Sequence, residues 1–119
     1  MVRSTWAALV DGLSPDDLAL FTEYRDFCRA LPDVEERVHS AEVDYAIKRI
    51  FTSGYMKSHY LEVGVDLLRE AKHPQLRTVF PSTKKVFTHR LTLRSVDQLD
   101  GSVRRLLAEA RDTVGPGTR

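Results

Sequence analysis

The sequence contains no asparagine and a single cysteine, Cys28. Without asparagine there is no acceptor for an N-linked glycan. One cysteine excludes an intramolecular disulfide framework and any cysteine-rich zinc module. No apolar run approaches the ~20 residues of a membrane-spanning helix. No apolar segment follows Met1-Val2-Arg3-Ser4-Thr5-Trp6, so no signal peptide is expected there. The phosphate loop, the dinucleotide fingerprint G-x-G-x-x-G and the zinc motif H-E-x-x-H are also missing. There is no internal repeat, low-complexity tract or linker. Together these absences predict a cytoplasmic protein of bacterial type, with no cofactor, no metal and no membrane partner.

What is present suits one globular domain. The 119 residues are 42% hydrophobic and 29% charged, ordinary values for a folded chain able to bury a core without staples. The reading places a single domain at 1–114 and a flexible tail at 115–119, Gly115-Pro116-Gly117-Thr118-Arg119.

The formal net charge of +1 hides three blocks. Residues 1–44 hold 4 Lys/Arg and 10 Asp/Glu, residues 45–94 hold 10 and 3, and residues 95–119 hold 4 and 4. Such a division marks either an anion-binding surface or an acidic layer that neutralises a basic one within the fold. No run of five or six like charges forms an arm or tail.

Hydrophobic periodicity gives the order helix, strands, helix. Ser4 is expected to cap a short helix carrying Trp6, Leu9 and Val10, with Gly12 as its stop. Ser14-Pro15-Asp16-Asp17 opens a longer helix, with Ser14 as N-cap, Pro15 at the first helical position and two aspartates at the positive end of the dipole. Leu20, Phe21, Tyr24, Phe27, Cys28 and Leu31 form its apolar stripe, and Pro32 ends it. The period then falls to two. Val43 to Phe51, His59 to Leu67 and Phe87 to Leu93 read as strands, Val34 to Ser40 as a further one, and Ser53-Gly54 as the turn of a central hairpin. His73-Pro74 and Phe80-Pro81 bracket a connecting segment. Ser95 with Gln98 reads as a capping box, and Asp100 or Ser102 restarts a helix through Val103, Leu106, Leu107, Ala110 and Val114. Strands with one apolar and one polar face are antiparallel and half-solvated. The expected fold is therefore α+β in two layers: an antiparallel sheet of three to five strands with N- and C-terminal helices packed on one face.

Candidate chemistry is sparse. Ser82-x-x-Lys85 matches the nucleophile motif of penicillin-recognising enzymes, but its companion motifs are missing and Ser82 precedes a strand rather than opening a helix. Cys28, on an apolar stripe, is an inert small hydrophobe unless exposure and a basic neighbour activate it. His59 and His89 fall in the apolar phase of their strands and are the candidates for a catalytic acid or base. With Tyr45 and Arg49 they would line a pocket between sheet and helices, suited to a small anion or to proton transfer. The plainer reading of His89 is a core histidine bonded to a carboxylate or carbonyl. The polar sheet face carries the anion-binding candidates Lys48, Lys57, Lys84, Lys85, Arg90 and Arg94, with Tyr60 as an aromatic among them. Sheets of this kind hold single-stranded nucleic acid. Glu62 and Asp66 on the same face would repel phosphate, and cross-strand ion pairs explain the pattern without a ligand.

Thr5-Trp6, Leu61-x-Val63-x-Val65, the stretch Val86-Phe87-Thr88-His89-Arg90-Leu91-Thr92-Leu93-Arg94-Ser95 and Leu99-Asp100 after it are similar to a family of small bacterial and archaeal proteins described only as a domain of unknown function. The likeness runs from about Ser4 to Val114. It implies a compact α+β domain in which His89 is a position of interest, and it implies no activity.

Two functions are expected from these readings. The first is a small binding or interaction module holding nucleic acid or another phosphate-bearing anion on the basic sheet region. The second is a small enzyme or small-molecule sensor using the Tyr45, Arg49, His59 and His89 pocket. A homodimer formed through the polar sheet face or an edge strand is compatible with either.

Overall fold

The computed structural model describes residues 3–117. Three helices and one sheet enclose a single core among these residues. A one-turn helix α1 (Trp6–Leu9) leads into α2 (Pro15–Ala30). Six strands follow: β1 (Glu35–Val38), β2 (Val43–Ala46), β3 (Ile50–Lys57), β4 (Tyr60–Leu67), β5 (Leu76–Pro81) and β6 (Phe87–Leu93). A 3-10 turn at Val96–Gln98 precedes α3 (Gly101–Thr113). The sheet is antiparallel throughout, in the order β1-β2-β3-β4-β6-β5.

The class is α+β as the periodicity implies, with six strands where three to five are expected. The additional strands have identifiable causes. The run Val43 to Phe51 is not one strand: it breaks at Ile47, Lys48 and Arg49, whose turn is held by the Gly115 carbonyl accepting from the Lys48 and Arg49 amides at 2.9 and 3.0 Å. Gly115 is buried, so the first residue of the segment expected to be a loose tail is docked against the sheet; Thr118 and Arg119 lie outside the described residues. The bracketed connecting segment contains β5, whose one partner is β6 and whose final residue is Pro81, a residue tolerated on an edge strand.

Ser53-Gly54 is not a turn. Both residues pair within β3, and the hairpin instead closes at Ser58, which takes φ 54°. Glycine is needed at 54 for a different reason. A Cβ there would stand 2.5 Å from the Tyr24 ring of α2, which lies directly on the strand. The turn-forming residue of the sequence is thus a packing residue.

Helix ends follow the sequence closely. Ser14 accepts from the Asp17 amide at 3.2 Å, and Asp100 accepts from Ser102 and Val103, so Asp100 is the cap of α3. The cap of α1 is Thr5 rather than Ser4. The Ser95 side chain makes no capping bond, while Gln98 accepts from the Arg94 amide at 2.6 Å.

Leu20, Phe21, Tyr24 and Cys28 of α2, with Val103, Leu107 and Ala110 of α3, bury against Val43, Tyr45, Leu61, Val63, Val65, Leu67, Leu91 and Leu93. At ~1.5–3 kcal/mol for each fully buried large apolar side chain, this layer supplies the principal driving force for folding. Trp6 closes one end, its ring 4.8 Å from that of Phe21. Burial raises the Cys28 thiol, which keeps it protonated and inert.

Candidate functional site: the uncovered face of the sheet

The core face of the sheet leaves little for chemistry. The Tyr45 hydroxyl is buried and donates to Glu36 Oε2 at 2.8 Å. Glu36 also takes two bonds from Arg25, at 2.9 and 3.1 Å. Burial pushes the Glu36 carboxyl up, but the bonds from Arg25 and Tyr45 and the Arg25 charge outweigh it and hold it below its ordinary range. Arg25 in turn lies 4.4 Å over the Trp6 ring. This cluster ties α1, α2, β1 and β2 together.

His89 is 1% exposed, and both of its nitrogens are engaged. Nε2 accepts from the Ala71 amide at 2.8 Å, which places the ring proton on Nδ1. Nδ1 then donates to the Val65 and Phe87 carbonyls at 3.2 and 3.1 Å. A histidine bonded on both sides in the core holds the segment after β4 against β6 and has no lone pair to offer a substrate. His59 sits in the β3–β4 turn with its side chain 85% exposed, Nδ1 2.9 Å from Asp17 Oδ2. His89 pairs with Val65, five residues along β4 from Tyr60, so the two histidines are separated by ~17 Å of strand. Arg49 is in the β2–β3 turn, within electrostatic reach of Asp66. Tyr45, Arg49, His59 and His89 therefore do not converge on one pocket.

Among the described residues no helix lies on the other face. Strand pairing sets its side chains in rows, since alternate residues share a face. One row runs Asp44, Ser53, Gly64, Arg90, Thr78. A second runs Tyr55, Glu62, Thr92, and a third Asp66, Thr88, Phe80. Gly64 has no side chain in the middle of this array, and a Cβ built there would meet only the Ser53 carbonyl, at 3.9 Å. The gap opens a hollow of about 180 Å³ lined by Glu42, Ile50, Thr52, Ser53, Tyr55, Gly64, Asp66, Thr88 and Arg90.

The charges of this face are layered by depth. Its acids are sunk. Glu62 is 5% exposed, accepts from the Thr92 hydroxyl at 3.0 Å and lies 3.5 Å from Arg77. Asp66 accepts from the Thr88 hydroxyl at 2.7 Å, and burial raises its carboxyl above the ordinary range. Asp44 pairs with His39 Nε2 at 2.9 Å, leaving buried Asp44 Oδ1 and His39 Nδ1 with no partner. Beside it, hydrogen bonding to Asp44, then burial and the Asp44 charge, push the Glu42 carboxyl up to about 7 against the opposing pull of Arg90.

The cations stand proud. Lys48, Lys57, Lys84, Lys85, Arg90 and Arg94 are all exposed. They are not one patch. Lys57 and Arg94 lie at one end of the sheet, Lys48, Lys84 and Lys85 in turns at the other, and Arg90 between them. Two of them rest on rings: Arg90 is 5.6 Å over Phe80 and Arg94 is 5.0 Å over Tyr60.

Sequence reasoning missed Glu42, Asp44, Tyr55, Arg77 and Phe80 as members of this face. Gly64 was the available signal: a glycine inside a strand marks either a bulge or a place where something approaches closely, and β4 runs through it without a bulge. Among the described residues no group of three or more metal-ligating side chains is assembled, and no helix is long and apolar enough to cross a membrane. Compared with known proteins, the chain matches no family model, no curated protein and no solved structure. The functional reading rests on the geometry.

Proposed function

We propose that this protein is a small binding module that holds a single-stranded nucleic acid on the uncovered sheet face, along β4, β6 and β5. The observation that carries the reading is the layering of charge. Glu62, which would repel phosphate, is buried, Asp66 is half-buried, and both are hydrogen-bonded, whereas Arg90 and Arg94 are exposed. Guanidinium planes held over Phe80 and Tyr60 offer bases a surface to stack on, and Lys57, Lys84 and Lys85 lie at the two ends for the backbone. No helix projects from this face to enter a duplex groove, so the surface favours single strands.

The test is a fluorescence-anisotropy titration with labelled single-stranded DNA, duplex DNA and single-stranded RNA at two salt concentrations. Saturable binding of single strands that weakens steeply with salt is expected, with duplex the weaker ligand. Absence of single-strand binding at low salt sinks the proposal.

The enzyme or sensor reading is the less supported one, because His89 is bonded on both nitrogens and His59 lies at the far end of β4. A homodimer would occupy this same face or the β5 edge. Its signature is salt-dependent dissociation in sedimentation.

A further inference from the structure

The hollow over Gly64 carries both signs of charge. Glu42 and the Arg90 guanidinium line it, and so does Asp66, which is held by the Thr88 hydroxyl. Asp44 and Arg90 belong to the same row, separated by Ser53 and Gly64. Three strand spacings put their backbones ~14 Å apart, a span wide enough for a flat ring laid over Ser53 and Gly64. Ile50 and Tyr55 supply apolar contact. At about 180 Å³ the hollow is smaller than the ~300–1,000 Å³ of a typical small-molecule site, and takes one ring system rather than a whole cofactor.

Resting on the nucleic-acid reading above, we propose that this hollow is a base pocket selective for guanine. Guanine carries two adjacent acceptors, O6 and N7, on one edge, and two adjacent donors, N1–H and the exocyclic amine, on another. A guanidinium reads the first pair bidentately, and a carboxylate accepts from the second. Laid across Gly64, guanine would meet Arg90 with O6 and N7 and Glu42 with N1–H and the amine. Uracil has no pair of adjacent donors. Adenine has no pair of adjacent acceptors on the edge that Arg90 would read. Gly64 is the floor because any side chain there would occupy the ring's place.

The experiment compares labelled oligouridine with the same strand carrying one central guanosine, or one inosine, which lacks the exocyclic amine. Guanosine is expected to raise affinity about tenfold, the low-to-middle range for a bidentate pair, and inosine, which keeps O6, N7 and N1–H but lacks the amine, to lose part of that gain. Gly64→Val fills the hollow with a strand-compatible side chain and is expected to bring the guanosine-to-uridine ratio to about one. Glu42→Gln, which removes an acceptor while leaving the hollow open, is expected to reduce the ratio as well. Equal affinity for the two strands, or a ratio that survives Gly64→Val in a protein with an unchanged melting temperature, overturns the proposal and leaves the nucleic-acid reading standing. If oligouridine does not bind at all, that reading fails, and guanosine monophosphate decides the pocket by itself. Amide shifts at Ser53, Gly64 and Thr88 with guanosine but not uridine monophosphate support it, and their absence overturns it.

Discussion

The ring of Tyr24 lies on the bare backbone of Gly54, and its hydroxyl meets Thr52 Oγ1 at 3.0 Å two residues away along the same strand. Thr52 passes the bond on, donating to the Gly64 carbonyl at 2.6 Å. One tyrosine of α2 is thus joined to β3 by shape and by hydrogen bonding, and through Thr52 to β4. Burial raises the Tyr24 hydroxyl well above its ordinary range, so it stays protonated.

Gly54→Ala places a methyl group inside the Tyr24 ring contact. The expected loss is about 2 kcal/mol, typical of overpacking a tight core, read as a lower urea midpoint at unchanged slope. A variant as stable as the parent would mean that Tyr24 is not held against the strand.

His89→Leu keeps the volume of the core and removes an acceptor. The Ala71 amide is left buried without a partner, at a cost of about 2 kcal/mol. Nucleic-acid affinity should stay within about twofold, because His89 lies on the helical side of the sheet. A collapse of binding in a folded His89→Leu protein would return His89 to the site.

The triple change Lys84→Ala, Lys85→Ala, Arg90→Ala should weaken single-strand binding and make its dependence on salt shallower. Three lost phosphate contacts reduce the slope of log K against log salt by about 2. Unchanged affinity and slope would remove the β5–β6 turn and the middle of β6 from the interface.

The pH dependence has a definite sign. Glu42 titrates at about 7 in the folded chain, above the ~4.3 of an unfolded glutamate. The folded state therefore holds the extra proton. The resulting stability is fully present below pH ~4.3 and is lost as pH rises toward 7. Asp44 and Arg90 are the charged groups around it, and the His39 imidazole bonds Asp44. Because Glu42 is only half-buried, solvent screening limits the effect to about 1 kcal/mol. Above pH 7 the new negative charge faces Arg90, so affinity for oligouridine should fall between pH 6 and 8. Glu42→Gln should abolish both trends in urea melts and titrations.

The helices were legible in the sequence because their signals are local. Ser14, Pro15 and Asp100 each act within one turn of chain, and the stripes of α2 and α3 repeat every three to four residues. The sheet was legible in its alternation but not in its extent. Gly54 read as a turn because its true neighbour, Tyr24, comes from another element. The break at Ile47 to Arg49 escaped notice because its anchor, Gly115, lies at the other end of the described chain. The candidate pocket failed for a related reason. Alternation placed His89 on the apolar face correctly, but the Ala71 amide that occupies its free nitrogen has no periodicity to betray it. The layering of acids below cations depends on cross-strand partners such as Thr88 with Asp66, which only the register brings together.

Sheet order also sets how the chain can assemble. Of the five strand pairs, β1–β2, β2–β3, β3–β4 and β5–β6 join neighbours in sequence, and each can zip from its own turn on the microsecond scale of an isolated hairpin. Only β4–β6 skips a strand, closing the stretch from Leu67 to Phe87. Its closure entropy must be met before Val63 can find Leu91. That seam is where the kinetic barrier should concentrate. Substitutions in Val63, Val65 or Leu91 should slow refolding, whereas those in β1 should mainly hasten unfolding.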